Sequence, residues 1–123
     1  MNYKRFEELP AWNVARELCR EIYRLVSETQ LKKDFSLRDQ ILRAAGSVMD
    51  NIAEGFDSGT NPEFIRFLKI ARRSASEVQS QLYLALDRGY ITEAQLKETY
   101  DLSTTVKKLI NGLIGYLNRS QEI

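Results

Sequence analysis

The sequence predicts an all-α fold, an antiparallel up-down-up-down four-helix bundle with residues 1–123 as a single domain. Three observations carry this. Apolar residues recur at steps of three and four through four long segments. Only two prolines and six glycines occur, placed where a helical chain would be punctuated. No strand-like alternation, internal repeat or low-complexity tract competes with that pattern. At 43% hydrophobic and 28% charged residues, the chain has the make-up of a globular protein with its own core.

The first helix is expected over about 10–29. Pro10 suits a first helical turn, and Val14, Ala15, Leu18, Cys19, Ile22, Leu25 and Val26 make its apolar stripe. Cys19 lies on that stripe and reads as a small buried hydrophobe. Arg16, Arg20 and Arg24 form a basic row, but Glu17, Glu21 and Glu28 stand at ion-pairing distance along the helix, so the row reads as a solvated face. A polar break over 32–39, with Asp34 or Ser36 as cap, precedes a second helix over about 37–57. Its stripe is Ile41, Ala45, Val48, Ile52 and Phe56, widened by Leu42, Met49 and Ala53. An arc that wide is either deeply buried or meets another subunit.

Thr60-Asn61-Pro62-Glu63 reads as a cap, a proline at the first helical position and an acid in the first turn of a third helix, about 62–88. Phe64, Leu68, Ala71, Ala75, Val78, Leu82 and Ala85 follow the heptad spacing of left-handed bundle packing. Gly89 suits a left-handed stop, and Thr92 with Gln95 fits a capping box for a fourth helix, about 93–119. Its expected seam is Leu102, Val106, Leu109, Leu113 and Tyr116, flanked by Leu96, Ile110, Ile114 and Leu117. Short links make successive helices antiparallel neighbours.

Composition removes several function classes. The chain has no histidine, which excludes Ser-His-Asp and Cys-His catalysis, a histidine general base and His-ligated zinc. One cysteine excludes an internal disulfide and any multi-cysteine metal site. No phosphate loop or dinucleotide fingerprint occurs. The expectation is a protein with no enzymatic activity, no cofactor, no metal and no small-molecule substrate. No membrane span and no secretory leader are visible, so a cytoplasmic protein is expected. At a net charge of +1, any affinity for nucleic acid has to come from local clustering.

The stretch FIRFLKIARR, residues 64–73, is where charge clusters. It threads Arg66, Lys69, Arg72 and Arg73 through six apolar residues. Two uses are open. The row can hold phosphate, or it can be neutralised by the acidic row Asp50, Glu54 and Asp57 across the hairpin of helices two and three. A turn centred near residues 59–60 puts Glu54 opposite Ile65 and Arg66, and Asp50 opposite Lys69, which favours neutralisation. Arg72 and Arg73, with Arg38 and Arg43 on the second helix, are the least obviously paired cations.

Three blocks together resemble a known family: FEELPAWNVARELCREIY (6–23), LRDQILRAAGSVMDNIAEGF (37–56) and EFIRFLKIARRSASEVQSQLYLALDRGYI (63–91). They are similar to the bacterial four-helix-bundle proteins encoded within intervening sequences of 23S ribosomal RNA genes, a family also labelled ribosomal-protein-like. The resemblance implies a bundle assembled as a homo-oligomer, a cyclic homopentamer. It also implies association with structured RNA or a nucleic-acid-processing partner. The accessory proteins of diversity-generating retroelements look similar in fold, and there a basic surface serves nucleic acid and the reverse transcriptase. Asn51, Glu54 and Gly55 match the family's NIAEG block and read as structural. Arg66 and Arg72 match basic positions of its EFIRFLKIAR block. This chain departs from the pattern at Met49 and Asp50, where proline and serine are usual, and at Arg73, where a small residue is common.

The function expected is therefore backbone-directed association with structured RNA through basic helix faces. The candidate contacts are Arg66, Lys69, Arg72, Arg73, Arg38 and Arg43. The alternative is a scaffold ring that presents itself to a protein partner, such as a reverse transcriptase, without touching RNA.

Overall fold

The computed structural model describes residues 2–121 and contains four long helices, α1 (Pro10–Glu28), α2 (Phe35–Asp57), α3 (Asn61–Asp87) and α4 (Glu93–Gln121). Successive helices pack on one another, α1 on α2, α2 on α3 and α3 on α4, and α1 closes the bundle against α4. The α2–α3 contact is the most extensive. At 27 residues, α3 runs for about 40 Å, the full height of the bundle.

The ends of the helices follow from local chemistry. Pro10 is the first residue of α1, and the Asn13 side chain donates to the carbonyls of Glu7 and Leu9 just ahead of it. The Phe6 ring stands edge-on to Trp12 at 5.1 Å and covers that end. The Thr60 hydroxyl accepts from the Glu63 amide; because α3 starts at Asn61, Pro62 is its second residue and not its first. Gly89 has φ +77°, the left-handed conformation that stops α3. The expected capping box of α4 is formed in both directions: the Thr92 amide donates to Gln95 Oε1 at 2.9 Å, and the Gln95 amide to Thr92 Oγ1 at 3.1 Å.

The break before α2 is shorter than the sequence suggests. A single 3-10 turn over residues 30–33 links the helices, and α2 begins at Phe35. Leu31 in that turn is fully buried, which pulls the link onto the end of the bundle. Asp34, and not Ser36, is the cap. Its Oδ1 accepts from the Leu37 amide. Its Oδ2 accepts from Arg88 Nη1 at 2.8 Å and from the Tyr90 hydroxyl at 2.9 Å. One carboxylate thus ties the start of α2 to the α3–α4 turn. The Leu37 amide, then Tyr90 and Arg88, hold its pKa below the usual aspartate range. A depressed carboxylate contributes stability above its unfolded pKa of about 3.9 and loses it as pH falls through the folded value. Asp34→Asn keeps a capping oxygen but removes the charge. Thermal melts of that variant should depend less on pH below about pH 4 than the parent's melts do.

The core has two layers. The upper is built on Leu9, Trp12, Val48, Ile52, Phe64, Leu68 and Ile110, the lower on Leu18, Ile22, Leu31, Ile41, Val78 and Leu82. All seven residues of the stripe expected on α3 are buried. On α4 the seam differs from the expected one. Thr99, Ser103, Val106, Ile110, Ile114 and Leu117 are buried, whereas Leu102, Leu109 and Leu113 are half-buried and Tyr116 is exposed. The helix is rotated by about one position. Apolar residues line two adjacent faces of α4, so hydrophobicity alone does not fix its rotation, and the packing accepts two small polar residues at the seam.

Candidate nucleic-acid interface

The buried stripe of α3 fixes which side chains face outward. With Phe64, Leu68, Ala71 and Ala75 in the core, Arg66, Lys69 and Arg73 project from the opposite side. Arg66, Lys69, Arg72 and Arg73 line one shallow depression of about 370 Å³, with Ile70 among them. Their environments differ. The Arg66 guanidinium lies 4.5 Å from the Phe67 ring centre and pairs with Glu63 at 3.1 Å. Arg72 is half-buried and donates from Nη1 to Asn111 Oδ1 on α4 at 2.7 Å, so it braces two helices. Lys69 and Arg73 are exposed, and no ion pair reaches either of them among the described residues.

The expected neutralisation across the hairpin is not formed. Asp50, Glu54 and Asp57 are exposed on α2, and none is in ion-pair contact with α3. Ser47 meets Ser74 at 2.8 Å, about two positions from the expected register, while nearer the turn Gly55 lies against Phe64, at the expected register, and Phe67, beyond it. Small and apolar residues occupy the helix–helix seam and turn the two charged rows away from each other. Asp50 acts instead on Cys19 of α1.

The other two candidate cations lie elsewhere. Arg38 sits at the lower end of α2, where it pairs with Asp39 at 2.9 Å, donates to the Lys32 carbonyl and lies 4.7 Å from the Phe35 ring centre. Arg43 is exposed at the mouth of a separate cleft between α2 and α3. The family-motif residues split by role. Asn51 donates from Nδ2 to the Ser47 carbonyl and hydroxyl and completes a small polar network with Ser74. At Gly55 the two helices approach closely: an added Cβ would stand 2.8 Å from Phe67 Cβ and 3.3 Å from the Phe64 carbonyl oxygen. Glu54 is exposed and makes no hydrogen bond or ion pair with another helix among the described residues, so the expected pairing with Arg66 is not formed.

Sequence reasoning passed over two polar features. Gln79 is buried, donates to the Tyr100 carbonyl and Thr104, and accepts from Lys107 Nζ at 3.1 Å. Ser74 and Gln81 are buried beside the apolar stripe of α3. Their spacing of seven residues is the signal that they share the helix face turned toward α2.

A second surface lies between α1 and α2. It is a mostly apolar groove of about 590 Å³ lined by Cys19, Tyr23, Leu42, Gly46 and Met49 with Arg16 and Arg20 at its edge. Tyr23, which also lines it, is 65% exposed. The Cys19 thiol donates to the Ala45 carbonyl at 3.2 Å. Burial, with a smaller contribution from Asp50, pushes its pKa up to about 11. The thiol stays protonated at neutral pH and is a poor nucleophile. Alkylation by iodoacetamide at pH 7.5 should be at least about tenfold slower in the folded protein than in urea, read by intact mass.

Among the described residues, no helix is long and apolar enough to cross a membrane. The model of the family described as 23S rRNA-intervening sequence protein matches residues 7–112. A crystal structure from Bacteroides thetaiotaomicron VPI-5482, described as a protein of unknown function from the S23 ribosomal protein family, superposes with a TM-score of 0.77 at 30% identity. The match covers 85% of this chain and 95% of that one. No curated protein matches the chain.

Proposed function

Since the chain belongs to the 23S rRNA-intervening sequence protein family, we propose that it binds the phosphate backbone of structured RNA through the α3 ridge and performs no chemistry of its own. The observation that carries this reading is the pair Lys69 and Arg73, two exposed cations without ion partners among the described residues, flanked by Arg66 and Arg72 in one depression. Because the acids of α2 face away, the positive field of the ridge is not cancelled locally. Backbone contact by a few cations gives binding that is weak per site, indifferent to sequence and steep in salt.

Assembly into a ring, a homopentamer by resemblance, repeats the ridge and raises its avidity. The half-open apolar groove between α1 and α2 supports subunit packing there. Fluorescence anisotropy with a labelled, folded fragment of 23S ribosomal RNA tests the RNA reading. Micromolar binding with a steep negative log–log dependence on salt is expected; no binding at low salt overturns it. Light scattering on the same sample reads the assembly, and a monomer overturns that part.

The scaffold alternative predicts an oligomer of the same size with a salt-insensitive protein partner and no RNA affinity. It becomes the better reading if anisotropy stays flat.

A further inference from the structure

We propose that the exposed ring of Phe35, at the start of α2, is a stacking platform for an unpaired nucleobase, with Lys32 and Lys33 beside it to take the adjoining phosphates. The proposal rests on the RNA reading for the polymer that carries the base, and it adds a contact away from the α3 ridge.

Phe35 is 66% exposed, more than any other large apolar side chain among the described residues. Unlike the exposed tyrosines it has no hydroxyl to offer to water. Its ring is nonetheless held. The Arg38 guanidinium, one helical turn along α2, lies over it at 4.7 Å from the ring centre. That guanidinium is fixed in turn by Asp39 at 2.9 Å and by donation to the Lys32 carbonyl at 3.2 Å. The 3-10 turn and the first turn of α2 are thereby tied into one surface. Lys32 and Lys33 are exposed on that turn, and no ion pair reaches either among the described residues. The carboxylates nearest in the chain are engaged. Asp34 accepts from the Leu37 amide, Arg88 and Tyr90, and Asp39 is taken by Arg38. Lys32, Lys33, Arg38 and Arg88 against Asp34 and Asp39 leave the surface positive.

An aromatic face with flanking cations is the chemistry by which single-stranded RNA is held. The ring accepts any base, because every base has a π-face, and the cations take the backbone on either side. A duplex keeps its bases stacked on one another, so the ligand is a base in a loop, bulge or single strand. The small apolar area disfavours a membrane. Leu31 and Leu37 are buried, and Ser36, Asp39 and Gln40 in the same turns are polar and exposed. One ring carrying a guanidinium matches one base and lacks the broad apolar face that an interfacial helix sinks into lipid. The platform stands at the level of Arg88, about 20 Å along α3 from Arg73, so the two contacts can be separated by substitution.

The test is fluorescence anisotropy near 0.1 M salt with two labelled probes, a short single-stranded RNA of mixed sequence and an abasic ribose-phosphate chain with the same number of phosphates. The base-bearing strand should bind at least about tenfold tighter. Phe35→Ala should remove most of that preference and leave the melting temperature and the salt slope unchanged, because the ring meets no phosphate. Phe35→Trp should restore it. Lys32→Ala/Lys33→Ala should keep the preference and flatten the log–log salt slope by roughly 1.4, at about 0.7 for each single-strand phosphate. Equal affinity for the two probes, or a preference untouched by Phe35→Ala, overturns the platform. So does binding to phosphatidylserine vesicles that Phe35→Ala abolishes in a protein with no base preference, which would give the ring to a membrane. The ridge fails separately. A protein that prefers the base-bearing strand but binds no folded ribosomal RNA fragment at low salt keeps the platform and loses the ridge. One that binds the folded fragment through Lys69 and Arg73 with no base preference does the reverse.

Discussion

Gly55→Val is expected to lower the melting temperature by roughly 10 °C, the largest stability change foreseen for a single substitution outside the hydrophobic core. The reason is geometric. A Cβ at position 55 would meet Phe67 Cβ at 2.8 Å, Phe64 Cδ1 at 2.9 Å and the Phe64 carbonyl oxygen at 3.3 Å. The Phe64 ring can rotate away, but the Phe67 Cβ and the carbonyl are fixed to the backbone of α3. The two helices must therefore separate along their most extensive contact. Overpacking of this kind costs about 3 kcal/mol at the upper end of its usual range. The control is Gly112→Ala on α4. A Cβ there meets nothing within 4 Å, so alanine should stabilise the helix by about 0.5–1 kcal/mol. Differential scanning calorimetry reads both. A Gly55→Val protein that melts with the parent would mean that α2 and α3 do not approach as closely as described.

The double substitution Lys69→Ala/Arg73→Ala should weaken RNA binding about tenfold or more near 0.1 M salt and leave folding untouched. Its log–log salt slope should become shallower by roughly 1.5 for each ridge engaged, since each phosphate contact contributes about 0.7–0.9. Both side chains are exposed and without ion partners among the described residues, so removing them breaks no ion pair there. Arg66 and Arg72 are poorer first targets. Truncating Arg66 strips a side chain stacked on Phe67, and truncating Arg72 leaves Asn111 without its donor. A change there would mix stability with binding. An unchanged salt slope in the double variant would remove the ridge from the RNA interface. A loss of assembly with an intact monomer would make the ridge a subunit contact.

Most of the frame was readable from the residues. The α3 stripe from Phe64 to Ala85 is buried at every expected position, because its unbroken heptad spacing gives one continuous apolar face, which the off-stripe apolar residues Ile65, Phe67, Ile70 and Leu86 do not match in length. Thr60, Gly89 and the Thr92–Gln95 box ended and began helices as anticipated, since capping depends on atoms only a few residues apart. Cys19, read from the stripe as a buried small hydrophobe, is only half-buried: its thiol donates to the Ala45 carbonyl but also lines the groove between α1 and α2, because that stretch of the two helices is left partly uncovered.

The departures share one cause, which is that rotation and register are properties of pairs of helices. α4 carries apolar residues on two faces, so Leu102 and Leu109 competed with Ser103 and Ile110 for the seam, and only the neighbours α1 and α3 decided it. The hairpin register was taken from the turn, but the close contact at Gly55 and the Ser47–Ser74 bond set it. That shift left Lys69 and Arg73 without the acids expected to cancel them. The sequence by itself determined the helix content, the helix ends and the family, because each depends on local spacing and short motifs. The tertiary structure alone decided which charges stand unpaired on the ridge. Pairing and burial are set by atoms far apart in the chain, and no local pattern records them.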